Sequence, residues 1–231
     1  MNRLIHFPFC ARSRSIRIAL VELGWDVHFE EEDPSAWRPD FVALNPACEV
    51  PVLVVSGLAT VAGVYAISEF LDEAARDYDT SDEHIQLFPG DSVARAEVRR
   101  LVDWFHGKLD RDATGELVEQ KLVRRVRGAG EPPPSGENLR AAHANLRYHL
   151  RYVNHLAGQR DWLAGDALSF ADMAASGHFS VLDYAGIISW DEFPAAKSWY
   201  MRIKSRPSVR PLLQDRLLGL SPAPIYAELD F

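Results

Sequence analysis

Phe7-Pro8-Phe9-Cys10-Ala11-Arg12-Ser13-Arg14 sets one thiol and two guanidinium groups at the mouth of a helix-patterned run. From Ser13 onward the apolar residues Ile16, Ala19, Leu20 and Leu23 recur at helical spacing. A cysteine at such a helix start has its thiolate favoured by the helix dipole and by the unpaired amides of the first turn. Arg12 and Arg14 would lower its pKa further, which suits thiol transfer through a mixed disulfide. The plain alternative is a small, half-buried residue that holds the position and does no chemistry. Ser13 is a second candidate hydroxyl, with helix capping as its simpler role. The other side chains of ligand type do not group. His6, His28, His106, His149 and His178 have no metal-ligand spacing with a cysteine or with one another, so no metal site is expected.

These groups need elements to position them. Leu4 to Phe7 reads as a short strand, Asp26 to Glu30 alternates as a second, and Val50 to Val55 is a buried third. Thr60-Val61 adds a short fourth strand and Tyr65 to Ala75 returns to helix, giving the order β-α-β, irregular, β-β-α. Between Glu69 and Asp91 there are eight acidic residues and one basic one, which marks a solvated linker and not a core element. Beyond it the chain is helical. Val98, Leu101, Val102, Phe105 and Leu109 form a core-facing stripe, and Leu139, Ala142, Leu146, Leu150 and Val153 form another. Asp172 to Tyr184 and Pro194 to Ile203 make two more helices, with GAGEPPPSG (128–136) as a loop between the first pair. The segment after Leu213 has prolines and no helical period, so it is a packed strap, a disordered end or a partner-binding peptide.

Composition bounds the function. The chain has 231 residues and a formal charge of −8, with 47% hydrophobic and 25% charged residues, the profile of a folded globular protein. No apolar run approaches the roughly 20 residues that span a bilayer, so membrane insertion is not expected. Nor does the amino terminus carry a secretory h-region, and two cysteines make no disulfide framework, so a reducing cytoplasm is the expected compartment. The acidic balance argues against a nucleic-acid partner.

Three motifs carry a family resemblance. Glu49-Val50-Pro51-Val52-Leu53, Leu168-Ser169-Phe170-Ala171-Asp172, and the turn from Phe7 to Arg17 together resemble the glutathione-transferase superfamily. The resemblance implies an α+β fold: a thioredoxin-like β-α-β/β-β-α domain at 1–78, a linker at 79–92, an all-helical domain at 93–218 and a tail at 219–231. It implies a cis-proline at Pro51, with the Val50-Pro51 backbone pairing with the cysteinyl part of glutathione, and Cys10 or Ser13 at the catalytic position. Ser169 and Asp172 would form a capping box, which serves folding and not catalysis. The family holds the γ-glutamyl end of glutathione with an acid or Gln followed by Ser, and Gly63 and Val64 stand there instead. Two charge-assisted hydrogen bonds, each worth about 1.5–3 kcal/mol, are thereby missing. Glutathione is therefore not expected as a working cofactor, and a glutathione-dependent transferase or reductase using Cys10 is the second reading.

A narrower resemblance covers most of the chain. Ala94 to Phe105, Asn145 to Leu150, Val181 to Tyr184, Trp199-Tyr200 with Lys204 to Pro207, and Tyr226 to Phe231 are similar to division-associated, glutathione-transferase-like proteins of alphaproteobacteria. That likeness implies a non-catalytic, dimeric protein at the division site that binds and organises acidic filaments of the tubulin-like protein FtsZ. A partner of net charge −8 needs local basic charge for this. Lys121, Arg124, Arg125 and Arg127, with Arg140 on the next helix, are the candidate filament contacts. Taken without the resemblance, the same residues read as a solvated face paired with Glu116, Glu119 and Glu137. Tyr226, Glu228, Asp230 and Phe231 are the candidate contacts of the tail with other division proteins. Trp37, in an irregular acidic loop, either plugs the domain junction or faces a partner.

Overall fold

The computed structural model describes residues 1–78, 85–124, 135–217 and 219–229. Strand β1 (Asn2–His6), helix α1 (Ala11–Glu22) and strand β2 (Val27–Glu31) form a parallel unit, since a helix between two strands is what a parallel pair requires. A short helix α2 (Pro39–Leu44) follows, then the antiparallel strands β3 (Val52–Val55) and β4 (Ala59–Ala62), and helix α3 (Val64–Tyr78). The sheet order is β2-β1-β3-β4. Gly57, at φ 74°, supplies the left-handed turn residue that the β3-β4 hairpin needs.

The period of two along the strands sorts the core into two faces. Leu4 and Leu53 are paired in register and pack with Ile16, Ile18 and Leu20 of α1 and Ile67 and Leu71 of α3. Ile5 and Val52, the adjacent pair, face the other way and pack with Phe41 of α2, Cys48 and Val50. The central strands are thus covered on both sides, which explains why they read as continuous apolar runs.

The helical part begins at α4 (Ser92–Asp103), where the Asp91 side chain accepts hydrogen bonds from the amides of Val93 and Ala94, both at 3.0 Å. The rod continues through π-helical turns (Trp104–Thr114), a short α-helical stretch α5 (Gly115–Val118) and further π turns (Glu119–Val123). The sequence predicts an ordinary helix here, and the difference has a physical cause. Leu101, Phe105, Leu109, Ala113 and Leu117 are all fully buried and spaced by four. A stripe with that spacing stays on one side only if the helix widens beyond 3.6 residues per turn, as π turns do.

Helices α6 (Gly136–Ala157), α7 (Phe170–Tyr184) and α8 (Pro194–Lys204) complete the bundle. Every residue of α7 is buried, so it is the axis of the molecule. Its start is fixed by Asp172, which accepts from the amides of Leu163 (2.9 Å) and Ser169 (3.1 Å), the Ser169 hydroxyl (3.0 Å) and the Trp199 indole (2.9 Å). The expected capping box is present, and its acid also ties a loop and α8 to the same point.

α1 lies directly on α7. A Cβ added at Gly177 would sit 2.4 Å from the Ala11 carbonyl oxygen and 3.2 Å from the Ser15 amide. The two backbones therefore touch where any side chain would separate them. Gly177→Ala must push α1 off α7, and a loss of about 1–3 kcal/mol is expected, the usual cost of overpacking a close contact. Urea unfolding checks this, and an unchanged midpoint would remove the contact from the account.

Candidate functional site

Cys10 is the residue before α1, with extended backbone angles of φ −84° and ψ 118°. Phe7 carbonyl accepts its amide at 3.0 Å, and its own carbonyl accepts the Arg14 amide at 3.0 Å, so the turn into the helix is rigidly bonded. The thiol points toward the Val50 carbonyl oxygen, 3.9 Å away, and the Val50-Pro51 peptide is cis. The thiol and the backbone before the cis-proline thus meet at one spot, as the sequence motif implies. A cleft of about 150 Å³ opens there between the two parts of the molecule, lined by Cys10, Arg12, Asp110, Thr114 and Val118 among others.

The electrostatics of the thiol differ from expectation. Burial pushes the Cys10 pKa up, and the amide and hydroxyl of Ser13 and the charge of Arg12 only partly oppose that. Arg14 does not activate it at all. Its guanidinium is fully buried and turned away, donating to Pro8 O (2.7 Å), Ser180 Oγ (3.0 Å), Tyr226 Oη (3.1 Å) and Asp215 Oδ2 (3.3 Å). Arg12 is committed as well, to Asp110 at 3.0 Å and Glu49 at 3.7 Å. Ser13 is fully buried and its hydroxyl accepts the Phe7 amide at 3.4 Å, so it braces the turn.

The cradle for glutathione is half built. The family resemblance would assign the Val50-Pro51 backbone to its cysteinyl part, and the Pro51 carbonyl accepts the Gly63 amide at 3.1 Å. At the other end Gly63 adopts φ 89° without a side chain, while Val64 is buried in the core. Neither presents a polar side-chain group to a γ-glutamyl moiety.

Behind the cleft runs a buried polar chain that spacing in the sequence does not reveal. The Ser15 hydroxyl donates to Arg12 O at 2.8 Å, so it accepts from His106 Nε2 at 3.2 Å. That assignment leaves His106 Nδ1 to accept from His178 Nε2 at 3.0 Å. His178 Nδ1 then faces Asp110 Oδ1 at 3.9 Å, beyond hydrogen-bond reach. Burial holds both rings neutral and lowers His106 to about 3. No group of metal-ligating side chains exists among the described residues.

The candidate contact residues are dispersed. Lys121 is half-buried, Arg140 is exposed on α6, and the Arg124 Nε lies 3.8 Å from Glu119 Oε1. Arg147 is neutralised by Glu192 at 2.5 Å. Arg125 and Arg127 lie outside the described residues, as do Asp230 and Phe231 of the tail. Glu228 is exposed, but Tyr226 is fully buried and its hydroxyl donates to Leu212 O at 2.8 Å while accepting from Arg14. Tyr226 is therefore corrected from a partner contact to an anchor. The segment from 219 to 229 is a strap, held also by Tyr184 Oη to Leu220 O (2.6 Å) and Lys204 Nζ to Ile225 O (3.2 Å). Trp37 is 63% exposed, at a left-handed φ of 48°, and does not plug the domain junction.

The N-terminal domain of glutathione S-transferases matches residues 9–74, and their C-terminal domain matches residues 128–207. FtsZ-localized protein A of Caulobacter vibrioides is 40% identical over 99% of this chain and 97% of its own length. A solved glutathione S-transferase from Rhodospirillum rubrum superposes with a TM-score of 0.93 at 42% identity, covering 100% of both chains. The solved structure of FzlA from C. crescentus gives a TM-score of 0.92 at 39% identity, covering 100% of this chain and 99% of that one.

The raised thiol pKa sets a pH dependence. Thiolate is the reacting form, so alkylation of Cys10 by iodoacetamide should have its rate midpoint above the ordinary thiol value of about 8.5. Peptide mass spectrometry across neutral to alkaline pH reads it. A midpoint at or below the ordinary value would restore Cys10 as an activated nucleophile.

Proposed function

Because the chain belongs to the glutathione S-transferase family, we propose that it is a non-catalytic member of it that binds FtsZ filaments at the division site and regulates their organisation and constriction. The observation that carries this reading is the full-length likeness to FtsZ-localized protein A, at 40% identity. The half-built glutathione cradle supports it from the other side, since Gly63 and Val64 supply no anchor for the tripeptide. Among the described residues no helix is long and apolar enough to cross a membrane.

The contact to an acidic filament would come from two features. One is the basic set Lys121, Arg124 and Arg140, with Arg125 and Arg127 as further candidates that lie outside the described residues. The other is Trp37, because tryptophan and arginine are the residue types that dominate interface energies. A homodimer would present each feature twice, and two weak sites on a rigid body bridge filaments through effective concentration without any chemistry. Tyr65 and Tyr148 suit a dimer contact: both are exposed, Tyr65 lies 3.5 Å from Asp103, and Tyr148 packs on the adjacent Trp104. Glu228, which is exposed, would remain for other division proteins, together with Asp230 and Phe231, which lie outside the described residues.

A glutathione-dependent reaction at Cys10 is the second reading, favoured by the cis Val50-Pro51 peptide beside the thiol. Calorimetry separates the two. With two charge-assisted bonds missing, glutathione should bind at least about a hundredfold more weakly than to an intact cradle. Binding tighter than about a millimolar would revive the enzyme.

Co-sedimentation with polymerised FtsZ tests the leading reading. The protein should pellet with filaments at low salt and less so at high salt. Arg140→Glu and Trp37→Ala should each weaken pelleting by about tenfold with the helical CD spectrum unchanged, the scale of one interface anchor. Failure of the unmodified protein to pellet would sink the proposal. Normal pelleting of both variants would move the contact elsewhere.

A further inference from the structure

The buried polar chain behind the cleft ends on an atom without a partner. His178 is fully buried, and its Nδ1 makes no hydrogen bond among the described residues. It faces Asp110 Oδ1 at 3.9 Å, while the other Asp110 oxygen, Oδ2, accepts from the Arg12 guanidinium at 3.0 Å. With the Ser15 hydroxyl turned to Arg12 O, both imidazoles carry their proton on Nε2 and this Nδ1 is bare. Two acceptors then face each other in a buried place, which is costly when Asp110 is ionised.

The same heavy atoms hold a second arrangement. Ser15 Oγ lies 2.8 Å from Arg12 O and 3.2 Å from His106 Nε2, so its proton can be directed at either. Turned to His106, the hydroxyl makes Nε2 the acceptor, and His106 Nδ1–H then donates to His178 Nε2 at 3.0 Å. His178 is left with its proton on Nδ1, aimed at the Asp110 carboxylate. Each ring and the hydroxyl carry one proton in both arrangements, so the charge on Asp110 decides between them.

We propose that Asp110, His178, His106 and Ser15 form a proton-position switch that carries the charge of Asp110 in the cleft to the first turn of α1. An ionised Asp110 holds both ring protons on Nδ1 and takes the Ser15 hydroxyl off Arg12 O. A neutral Asp110 offers its own O–H to a bare Nδ1, returns both protons to Nε2 and restores the Ser15 bond. The proton that Asp110 gains or loses exchanges with water at the mouth of the cleft, where its side chain is 28% exposed. The groups around the chain leave Asp110 as its titrating end. Burial raises the Asp110 pKa, Arg12 of α1 opposes that, and Glu49 of the loop before Pro51 adds to it. Burial and Arg12 lower His106 to about 3. Burial lowers His178 as well, with help from His106, Arg12 and His149 of α6. Both rings therefore stay neutral while Asp110 titrates. The Nδ1 arrangement holds above the Asp110 midpoint and the Nε2 arrangement below it. The switch depends neither on a filament nor on glutathione.

NMR on the full chain with nitrogen-labelled histidine reads which ring nitrogen of His106 and of His178 is protonated. At neutral pH both rings should carry the proton on Nδ1. Asp110→Ala should move it to Nε2 on both rings at the same pH, with the helical CD spectrum unchanged, because only the Ser15 bond to Arg12 O is left to decide. In the unmodified protein, acidification should produce the same exchange. Its midpoint should follow the Asp110 carboxyl carbon and lie above the ordinary aspartate value of about 3.9. The proposal is overturned if both rings show Nε2–H at neutral pH, if Asp110→Ala leaves the protons on Nδ1, or if one ring exchanges without the other. Should Asp110→Ala fail to fold, the acid titration decides: rings that keep Nδ1–H while the Asp110 carboxyl titrates sink the switch.

Discussion

The distance between α1 and α7 is set by the single hydrogen at Gly177, and much of the molecule depends on that distance. With the Ala11 carbonyl and the Ser15 amide pressed against the glycine, the first turn of α1 is fixed by the helical domain and not by the sheet it belongs to. Cys10 immediately precedes that turn, so its thiol is aimed by α7. Arg14 reaches Ser180 across the same contact, and Ser15 reaches His106 of the π-helical rod beside it. α1 thus joins the two parts of the molecule through the Gly177 approach and the buried bonds of Arg14 and Ser15. Close-packed backbones transmit strain and leave the first turn of α1 little room to adjust.

The fate of the thiol follows from comparing two effects. A helix dipole contributes about 0.3–1 kcal/mol at an exposed terminus, and up to about 2 in partly buried settings. Desolvation can move a buried group by several pKa units, each unit being about 1.4 kcal/mol. Beside Cys10 the two arginines that could have tipped the balance are engaged elsewhere, Arg14 in the core and Arg12 with Asp110 and Glu49. Burial therefore wins, and the residue type alone cannot report the outcome.

What the sequence makes legible is what local chemistry dictates. Strand alternation places Leu4 and Ile5 on opposite faces, and the Ser169-Asp172 pair marks a helix start; both are short-range rules. The π turns were legible in principle, in the spacing of Leu101, Phe105, Leu109, Ala113 and Leu117, but the shorter stripe Val98, Leu101, Val102, Phe105 and Leu109 fits an ordinary amphipathic helix. Arg14 with Tyr226 is different in kind. The two lie 212 residues apart, and the arginine sits in a basic run beside a cysteine where a nearer role suggests itself. Nothing in an aromatic-acidic tail says that its tyrosine is an anchor, because burial of Tyr226 is a property of the whole assembly. Trp37 is the converse case: its loop gave no direction, and only the fold shows that it faces outward.

Pairing also redraws the charge map that net charge conceals. Arginines along the helices look like one long basic ridge, but Arg100 is bound to Glu97 and Arg147 to Glu192, so their fields largely cancel at the surface. Arginines without a carboxylate partner among the described residues include Arg140 and Arg151 on α6, Arg111 on the π-helical rod and Arg210 before the strap, so they are spread over several elements. Tyr226 and Arg14 hold that strap against the core, and residues 220–223 of the strap wall a cavity that Lys121 also lines. The strap is thus held from both parts of the molecule, by Arg14 of α1 and by Tyr184 and Lys204 of the helical bundle.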